Sequence, residues 1–565
     1  MTSKRPPPSG GFSARTRAEA IARFQADTFD IAIIGGGING AGIARDAAQR
    51  GLSVALLEKG DFASGTSSKS SRMAHGGLRY LAKRHVHLVR ESLVERGVLL
   101  RLAPHLVHPM PYILPVYEGG MNSRFVLRAG LTAYDLLAGR RRLQRHRGMS
   151  RDALVRTEPC VRLNGLQGGF RYFDCVVNDA RLTLANVRSA ARDHAAIASY
   201  VEATDVISES GRVTGVNFTD RLSGATGALR AHLVVAAAGP WTDRVRALAG
   251  VEPILRPTKG IHVVVEQARL PLSNTVAFQF GDRMMFAVPH GEYTYIGTTD
   301  TDYPGDPGQA RVETSDVTYT IEAANSAFSV DLCPDDILST WAGVRPLVYE
   351  EGTPSDVGRD YEIQAGPEGF ITIAGGKLTT YRAMAEDLVN RVARHLARVL
   401  ARPRPPCRTA SIALPGGDLD GFERYREAAA TPLEETWGLS RQAAYHLVET
   451  YGTEYVKVLA YARQSPDLLK PLAPEVPILA AEAIYAVEEE MALTLEDFMS
   501  RRTDLMLFET QHGLEAAGRA AELMGEALGW APQQRNEQMA RYREAVAAMT
   551  AFRSAGEQPA VESVS

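Results

Sequence analysis

The run from Phe29 to Glu58 narrows the possible folds of this chain more than any other segment. Phe29–Ile34 (FDIAII) is short, almost wholly apolar and rich in branched side chains, the make-up of a strand buried on both faces. It runs directly into Gly35-Gly36-Gly37-Ile38-Asn39-Gly40 and then an Ala-rich helical stretch (AGIARDAAQR) that stops at Gly51. A second strand, Leu52–Leu57, ends at Glu58. In such a unit Gly35 permits the tight turn, Gly37 lets backbone approach a pyrophosphate, and Gly40 lets the helix lie close to the strand. The helix start at Ile38 and Asn39 offers unpaired N–H groups and the positive end of a dipole to phosphate. Glu58, followed by Lys59, is placed to accept ribose hydroxyls. Strand, glycines, helix, strand and acid in register predict a dinucleotide-binding βαβ unit.

That unit alone does not choose between NAD and FAD. Two later strands add information. Ala231–Ala238 (AHLVVAAA) ends in Gly239-Pro240-Trp241, and Phe370–Ala374 (FITIA) ends in Gly375-Gly376-Lys377 with a helix opening at Leu378 and Thr379. Glycines at strand ends so far apart in the chain suit one long ligand held by the whole domain, which favours FAD.

Composition sets the outer limits. With 45% hydrophobic and 23% charged residues the chain is an ordinary globular one, and 565 residues suggest several domains. The net charge of −3 gives no global attraction to nucleic acid. Cys160, Cys175, Cys333 and Cys407 form no CxxC pair, which argues against a zinc site and a disulfide framework; no metal is expected. No apolar run approaches the roughly 20 residues of a membrane-crossing helix. Residues 1–13 are Pro-, Gly- and Ser-rich and read as loose chain. Thr16 and Glu19 are spaced as a capping box, predicting a short helix over Arg17–Ala26 with Ile21 and Phe24 on one face. Residues of roughly Leu255–Tyr303 alternate apolar and polar side chains and predict an antiparallel sheet. Beyond the Pro-rich linker Ala401–Cys407 the pattern is helical to about Thr550, and 551–565 again read as loose chain.

Several longer runs resemble the FAD-dependent glycerol-3-phosphate dehydrogenases. They are GDFASGTSSKSSRMAHGGLRYL (Gly60–Leu81), FDCVVNDARLTLANV (Phe173–Val187), AAGPWTD (Ala237–Asp243), KGIHVVV (Lys259–Val265), YIGTTDTDY (Tyr295–Tyr303), WAGVRPL (Trp341–Leu347), AGGKLTTYRAMAED (Ala374–Asp387) and EEEMALTLEDFMSRRT (Glu488–Thr503). The similarity spans about residues 28–547. It implies a D-amino-acid-oxidase-like α/β fold: a Rossmann-like FAD-binding domain, an antiparallel cap over the flavin, and a C-terminal all-α domain. The expected layout is an arm at 1–27, an oxidoreductase domain at 28–400 and a helical domain at 408–550. Within 28–400, FAD-binding parts fall at about 28–105, 150–250 and 341–400, and cap parts at about 106–149 and 251–340. No DxDxDG loop occurs, so the calcium-binding extension of mitochondrial members is absent, which points to the bacterial branch.

The resemblance also implies a reaction, sn-glycerol 3-phosphate to dihydroxyacetone phosphate, with hydride passing to FAD and electrons onward to a membrane quinone. Thr66, Ser67 and Ser68 are then expected near the FAD phosphates, with Gly76, Gly77 and Leu78 also against the cofactor, and Lys377, Leu378 and Thr379 facing the flavin. A dianionic phosphate needs converging cations. Arg79 in HGGLRYL and Arg345 in GVRPL are the matched positions, since an arginine fork binds phosphate in two places. Lys377 serves either phosphate or flavin, and Tyr80 is a substrate-side hydroxyl. The proton acceptor is His75 or His262, between which the sequence does not choose.

A basic run, Arg140, Arg141, Arg142, Arg145 and Arg147, follows an amphipathic stretch Phe125–Leu137. At about 1 kcal/mol per basic residue near anionic lipid, such a patch supports peripheral binding. The family implies a homodimer resting on the inner face of the plasma membrane. Three readings compete: an oxidase using dioxygen on the same fold, a flavin dehydrogenase for another small hydroxy acid, and a binding protein that kept the fold and lost the chemistry.

Overall fold

The structure is a computed structural model describing residues 12–82, 85–120, 123–281, 283–349, 360–400 and 405–553. The run from Phe29 to Glu58 builds the centre of a six-stranded sheet. Its order is Tyr361–Ala365, Phe370–Gly375, Val234–Ala236, Ile31–Ile34, Val54–Leu57, Ala196–Ala198, parallel except for the first strand. Alternation along one strand explains why it must be apolar throughout. Ile31 and Ile33 pack with Ala41, Ala44, Leu388 and Val392 of the covering helices. Ala32 and Ile34 face the other way, onto Phe24, Phe218 and Leu229. Each fully buried isoleucine contributes about 1.5–3 kcal/mol, so a polar residue on either face would be costly.

The second layer against that sheet is a four-stranded sheet (Thr28–Phe29, Thr226–Ala231, Arg212–Asp220, Val201–Glu209) together with the first helix. That helix spans Ala14–Ala26, three residues earlier than expected, because Ser13 and not Thr16 begins it. Thr16 Oγ1 accepts from the Ser13 backbone N–H at 2.8 Å. Nor do the residues next to it form a loose arm. Phe12 is buried with its ring 5.5 Å from that of Phe62, and Arg17 reaches across to Asp220. Residues 1–11 and the linker positions 401–404 lie outside the described residues. Of the tail expected to be loose, 554–565 also lie outside the described residues, and the part before them differs from expectation: Phe552 is buried, Thr314 donates to its carbonyl, and Arg553 donates to that of Ile337.

Over the sheet's ligand edge sits a ten-stranded, mainly antiparallel sheet. Leu255–Glu266, Thr275–Phe280, Arg283–His290 and Tyr293–Gly297 are the strands read from alternation. Two long strands that the sequence placed wholly (Leu166–Val177) or mostly (Ile337–Val348) in FAD-binding parts belong here instead. Leu166–Val177 pairs with Val107–Tyr117, and Ile337–Val348 pairs with Leu255–Glu266 from Leu255 to Val265. Both carry glycines and mixed polarity that resemble sheet-edge turns locally, and only their partners reveal them. Helices from Phe422 to Thr550 form the C-terminal domain, held to the rest by buried ion pairs such as Arg181–Glu490 at 2.7 Å and Arg188–Glu454 at 2.9 Å.

Candidate functional site

A cavity of about 630 Å3 runs along the junction of the three parts, within the roughly 300–1,000 Å3 usual for ligand pockets. At one end lie Glu58, Lys59, Glu202 and Thr204; at the other lie His75, His262, Arg345 and Lys377. The glycine turn forms its floor. Gly35 has φ +115°, and a Cβ there would lie 2.5 Å from the Ala237 carbonyl oxygen. A Cβ on Gly40 would come within 1.9 Å of the Gly35 carbonyl, so Gly40 sets helix-to-turn packing and does not itself line the cavity. Gly37, Ile38 and Asn39 do line it.

Glu58 closes the first of these ends, where a ribose is expected. Its two oxygens accept from Gly36 N at 2.6 Å and Gly60 N at 2.8 Å, which fixes the carboxyl plane and leaves its other lone pairs for hydroxyls. Burial raises its pKa, against the pull of those two N–H groups and Lys59. Lys59 Nζ lies 3.6 Å above the Trp241 ring, and burial pushes it down. Both line the cavity, with Gly239 and Gly376. Two hydroxyls expected at phosphate have structural partners: Thr66 Oγ1 donates to the Val344 carbonyl at 2.6 Å, and Ser67 Oγ accepts from Ile38 N at 2.9 Å. Both still line the cavity, whereas Ser68 is buried outside it.

At the opposite end two strands bring Arg345 and His262 together. Thr258 pairs with Arg345, Gly260 with Gly343, and His262 with Trp341. The Arg345 guanidinium reaches Asp300 Oδ1 at 3.0 Å and Thr298 Oγ1 at 2.8 Å. It occupies the space a side chain at Gly260 would take: a Cβ there would lie 2.2 Å from Nη2. Gly297 makes the same allowance for the His262 ring. That imidazole stacks on Trp341 at 4.6 Å, and its Nε2 lies 2.9 Å from Ser71 Oγ. Burial drives its pKa well below the ordinary value, with Arg345 and Arg72 adding to the effect.

His75 is half-buried against the cavity. Its backbone is pinned by Thr379, whose hydroxyl accepts from His75 N at 3.1 Å and lies 3.2 Å from its carbonyl. Leu378 and Thr379 line the cavity beside Lys377. Lys377 Nζ sits 3.7 Å above the Tyr80 ring.

The rest of the HGGLRYL turn departs from expectation. Gly76, Gly77, Leu78 and Tyr80 lie behind the cavity wall, and Arg79 is exposed. The cause is local. Gly77 takes φ +76° and starts the short helix Leu78–Ala82, which turns Tyr80 inward under Lys377 and Arg79 outward. Arg79 is therefore not brought to Arg345. Several cavity residues escaped the sequence reading, among them Lys69, Ser71 and Gly260, as did Asp300, the Arg345 partner, which stands outside the lining. Burial, then Arg501, lowers the Lys69 pKa. Ser71 and Lys69 sit in the quoted GTSSKSSR run, and their positions there were the available signal.

The cavity's fit to a long dinucleotide agrees with known proteins. Residues 30–382 match the family described as FAD dependent oxidoreductase, and residues 407–535 match the C-terminal domain of alpha-glycerophosphate oxidase. An aerobic glycerol-3-phosphate dehydrogenase of Staphylococcus aureus is 38% identical, over 90% of this chain and 92% of its own length. The chain belongs to the FAD-dependent glycerol-3-phosphate dehydrogenase family. The family assignment extends to Staphylococcus haemolyticus, whose enzyme of the same name is also 38% identical, over 91% of this chain and 93% of its own. The solved glycerol-3-phosphate dehydrogenase from Bacillus halodurans complexed with FAD superposes with a TM-score of 0.79 at 33% identity, covering 95% and 98% of the two chains. FAD is thus the cofactor, and the α/β fold with a C-terminal helical domain is that of the family. The fixed Glu58 carboxyl, the glycine turn on the cavity floor and the size of the cavity fit that group.

Proposed function

We propose that the protein oxidises sn-glycerol 3-phosphate to dihydroxyacetone phosphate and delivers the electrons to a membrane quinone. The observation that carries this reading is that Arg345, Lys377 and Lys69 line the same cavity as His75 and His262. Arginine's planar fork suits a phosphate, while Asp300 and Thr298 hold it in one orientation. The hydroxyl proton goes to an imidazole, and two electrons leave the carbon with the hydrogen as hydride. FAD, when bound, supplies the hydride acceptor.

Between the histidines we favour His75 as proton acceptor. Charging His262 would place a cation in a buried slot facing Arg345 and Arg72, and its Nε2 is engaged by Ser71. His262 then acts as a neutral wall that holds Ser71. Comparing His75→Gln and His262→Gln by the pH dependence of flavin reduction tests the assignment. Loss of the histidine limb only in His262→Gln would reverse it.

Membrane delivery is supported by the helix Arg124–Ala138. It exposes Phe125 (81%), Leu136 (73%) and Val126 (53%), and is followed by exposed Arg140, Arg141, Arg145 and Arg147, with Arg142 half-buried. No helix among the described residues is long and apolar enough to cross a bilayer. The same helix sends Tyr134 inward, where its hydroxyl accepts from Gly76 N at 2.9 Å, beside His75. A surface lying on anionic lipid through this helix would bring the site near the quinone pool.

The deciding experiment is an anaerobic titration of purified protein, following the visible flavin band. Bleaching by sn-glycerol 3-phosphate but not by glycerol or lactate is the expected result. Bleaching by lactate would favour a hydroxy-acid dehydrogenase. Reoxidation faster by a quinone analogue than by air is expected of the dehydrogenase, and the reverse order would make it the oxidase.

A further inference from the structure

We infer that one four-residue segment of the C-terminal domain, Arg501–Asp504, positions both ends of the FAD cavity. Neither Arg501, Arg502 nor Asp504 lines that cavity. Each acts through one intermediary, so these are positioning residues.

The first half of the segment reaches the ribose end. Arg502 grips Asp61 in two places, Nη1 to Oδ2 at 2.7 Å and Nη2 to Oδ1 at 2.9 Å, and Arg501 Nε adds a third contact at 2.6 Å. Asp61 is buried and lies three residues after Glu58. Its loop is tied directly to the cofactor acid. Gly60 N donates to Glu58 Oε1, Ser64 N to the Asp61 carbonyl, and Ala63 N to the Gly36 carbonyl. Moving Asp61 therefore moves both N–H groups that orient the Glu58 carboxyl.

The second half reaches the substrate end. Asp504, at φ +62°, receives Arg72 in the same two-pronged manner, at 2.7 and 2.9 Å, and Asn178 at 3.0 Å. Arg72 is itself at φ +52° and follows Ser71, the residue whose hydroxyl meets His262 Nε2. Tyr295 and Trp341 donate to the Ser71 and Ser70 carbonyls, so the Ser70–Arg72 turn is stapled to the cap on one side and to Asp504 on the other. A turn with Arg72 in the left-handed region needs such over-determination to persist.

The segment can serve two sites because of its own geometry. Asp497–Arg502 is a widened π-type turn, so Arg501 and Arg502 both meet Asp61, and Asp504 then reverses direction to begin Leu505–Phe508. Two-pronged arginine–carboxylate pairs fix orientation as well as distance. The geometry makes the helical domain a clamp on the oxidoreductase domain, with separable grips on cofactor and substrate.

The substrate half rests on the reading of the site proposed above; the cofactor half needs only FAD. Both are tested in the full-length protein with Arg502→Lys, which keeps the charge and loses the fork, and Asp504→Asn, which keeps a hydrogen bond and loses the charge. Arg502→Lys should raise the FAD dissociation constant tenfold or more. Once saturated with FAD, its half-saturation by sn-glycerol 3-phosphate should stay within twofold of the parent. Asp504→Asn should keep FAD affinity within twofold, and change the half-saturation or the limiting rate of flavin bleaching at least tenfold, with a shifted pH profile. Arg72→Lys replaces Asp504→Asn if the latter does not fold, with the same expectation. Lowered melting temperature in both variants with unchanged FAD affinity and bleaching kinetics would reduce the segment to a structural role and overturn the inference. So would loss of both properties together in either variant. If the parent itself is not bleached by sn-glycerol 3-phosphate, the substrate reading fails alone, and the FAD affinity of Arg502→Lys still decides the cofactor half.

Discussion

Gly260→Ala should separate function from stability at the end of the cavity proposed to take the substrate phosphate. The added methyl would sit 2.2 Å from Arg345 Nη2 and 2.5 Å from Cζ, so something must give. What gives is the tip of a long flexible side chain, because no backbone atom is among the near neighbours. Gly260 lies inside the strand Leu255–Glu266 without a left-handed φ, where alanine is tolerated and gains about 0.4–1 kcal/mol by restricting the unfolded chain. That gain opposes the strain on the largely buried Arg345–Asp300 contact, so the melting temperature should fall by no more than about 4 °C. Function has no such offset. A charge-assisted hydrogen bond contributes about 1.5–3 kcal/mol, and about 1.4 kcal/mol is tenfold in affinity, so displacing one prong of the fork should raise half-saturation roughly ten- to a hundredfold. The assay is anaerobic flavin bleaching at varied sn-glycerol 3-phosphate, with FAD content measured in parallel. Gly130→Ala is the control, since a methyl there meets nothing within 4 Å. Half-saturation within twofold of the parent, with a melting temperature lowered by many degrees, would refute the argument that Gly260 exists to seat Arg345 for phosphate.

Three further outcomes are expected. Glu58→Gln keeps the shape but loses charge-assisted acceptance at the ribose end, so FAD should bind roughly tenfold or more weakly, as measured by flavin retained through gel filtration. His105 is buried, and burial first, then Arg181 and His108, hold its pKa down to about 3. The unfolded chain takes up that proton near pH 6.5 and the folded one does not. Stability should therefore fall as pH drops from 6.5 toward 3, by about 2 kcal/mol from this group at pH 5. Urea midpoints at pH 7 and pH 5 should differ more in the parent than in His105→Gln; equal differences would show that His105 is not the source. Replacing Arg140, Arg141, Arg142, Arg145 and Arg147 by Gln should release the protein from anionic vesicles at physiological salt, and unchanged co-sedimentation would remove the lipid role of that run.

The parts of this molecule that were legible in its sequence are those whose geometry is made by neighbours in the chain. Gly35, Gly37, Gly40 and Glu58 announce their unit because turn, helix start and acid lie within thirty residues, and the structure sets them as their spacing requires. Arg345 and His262 could be named from motifs, but their meeting depends on a strand register between residues about eighty apart. Arg79 and Tyr80 show the limit of motif reading. One positive φ at Gly77 and a helix of little more than one turn decide which of two adjacent side chains faces inward. The terminal phenylalanines fail for another reason. Phe12 stands alone beside Gly and Ser, where nothing periodic marks it as core, and Phe552 lies just past the last helix, yet both are buried.

The same distinction explains why the C-terminal domain's part in the site was invisible. Arg72 and Asp504 are 432 positions apart, and Asp61 and Arg502 are 441 apart. In isolation each of these charges reads as a surface residue, since charged side chains are rarely buried unless paired. Burial is what changes their meaning. A carboxylate such as Asp61, sealed from water, is stable only with its partners in place, and removing both Arg501 and Arg502 would leave an uncompensated charge that costs about 3–5 kcal/mol. The pairing is therefore specific in a way that an apolar contact would not be: a shift that slides two greasy surfaces past each other is tolerated, whereas one that parts Arg502 from Asp61 is not. Choosing charges for this junction makes the placement of Glu58 and Ser71 depend on the helical domain being correctly docked, which ties cofactor binding to completion of the fold.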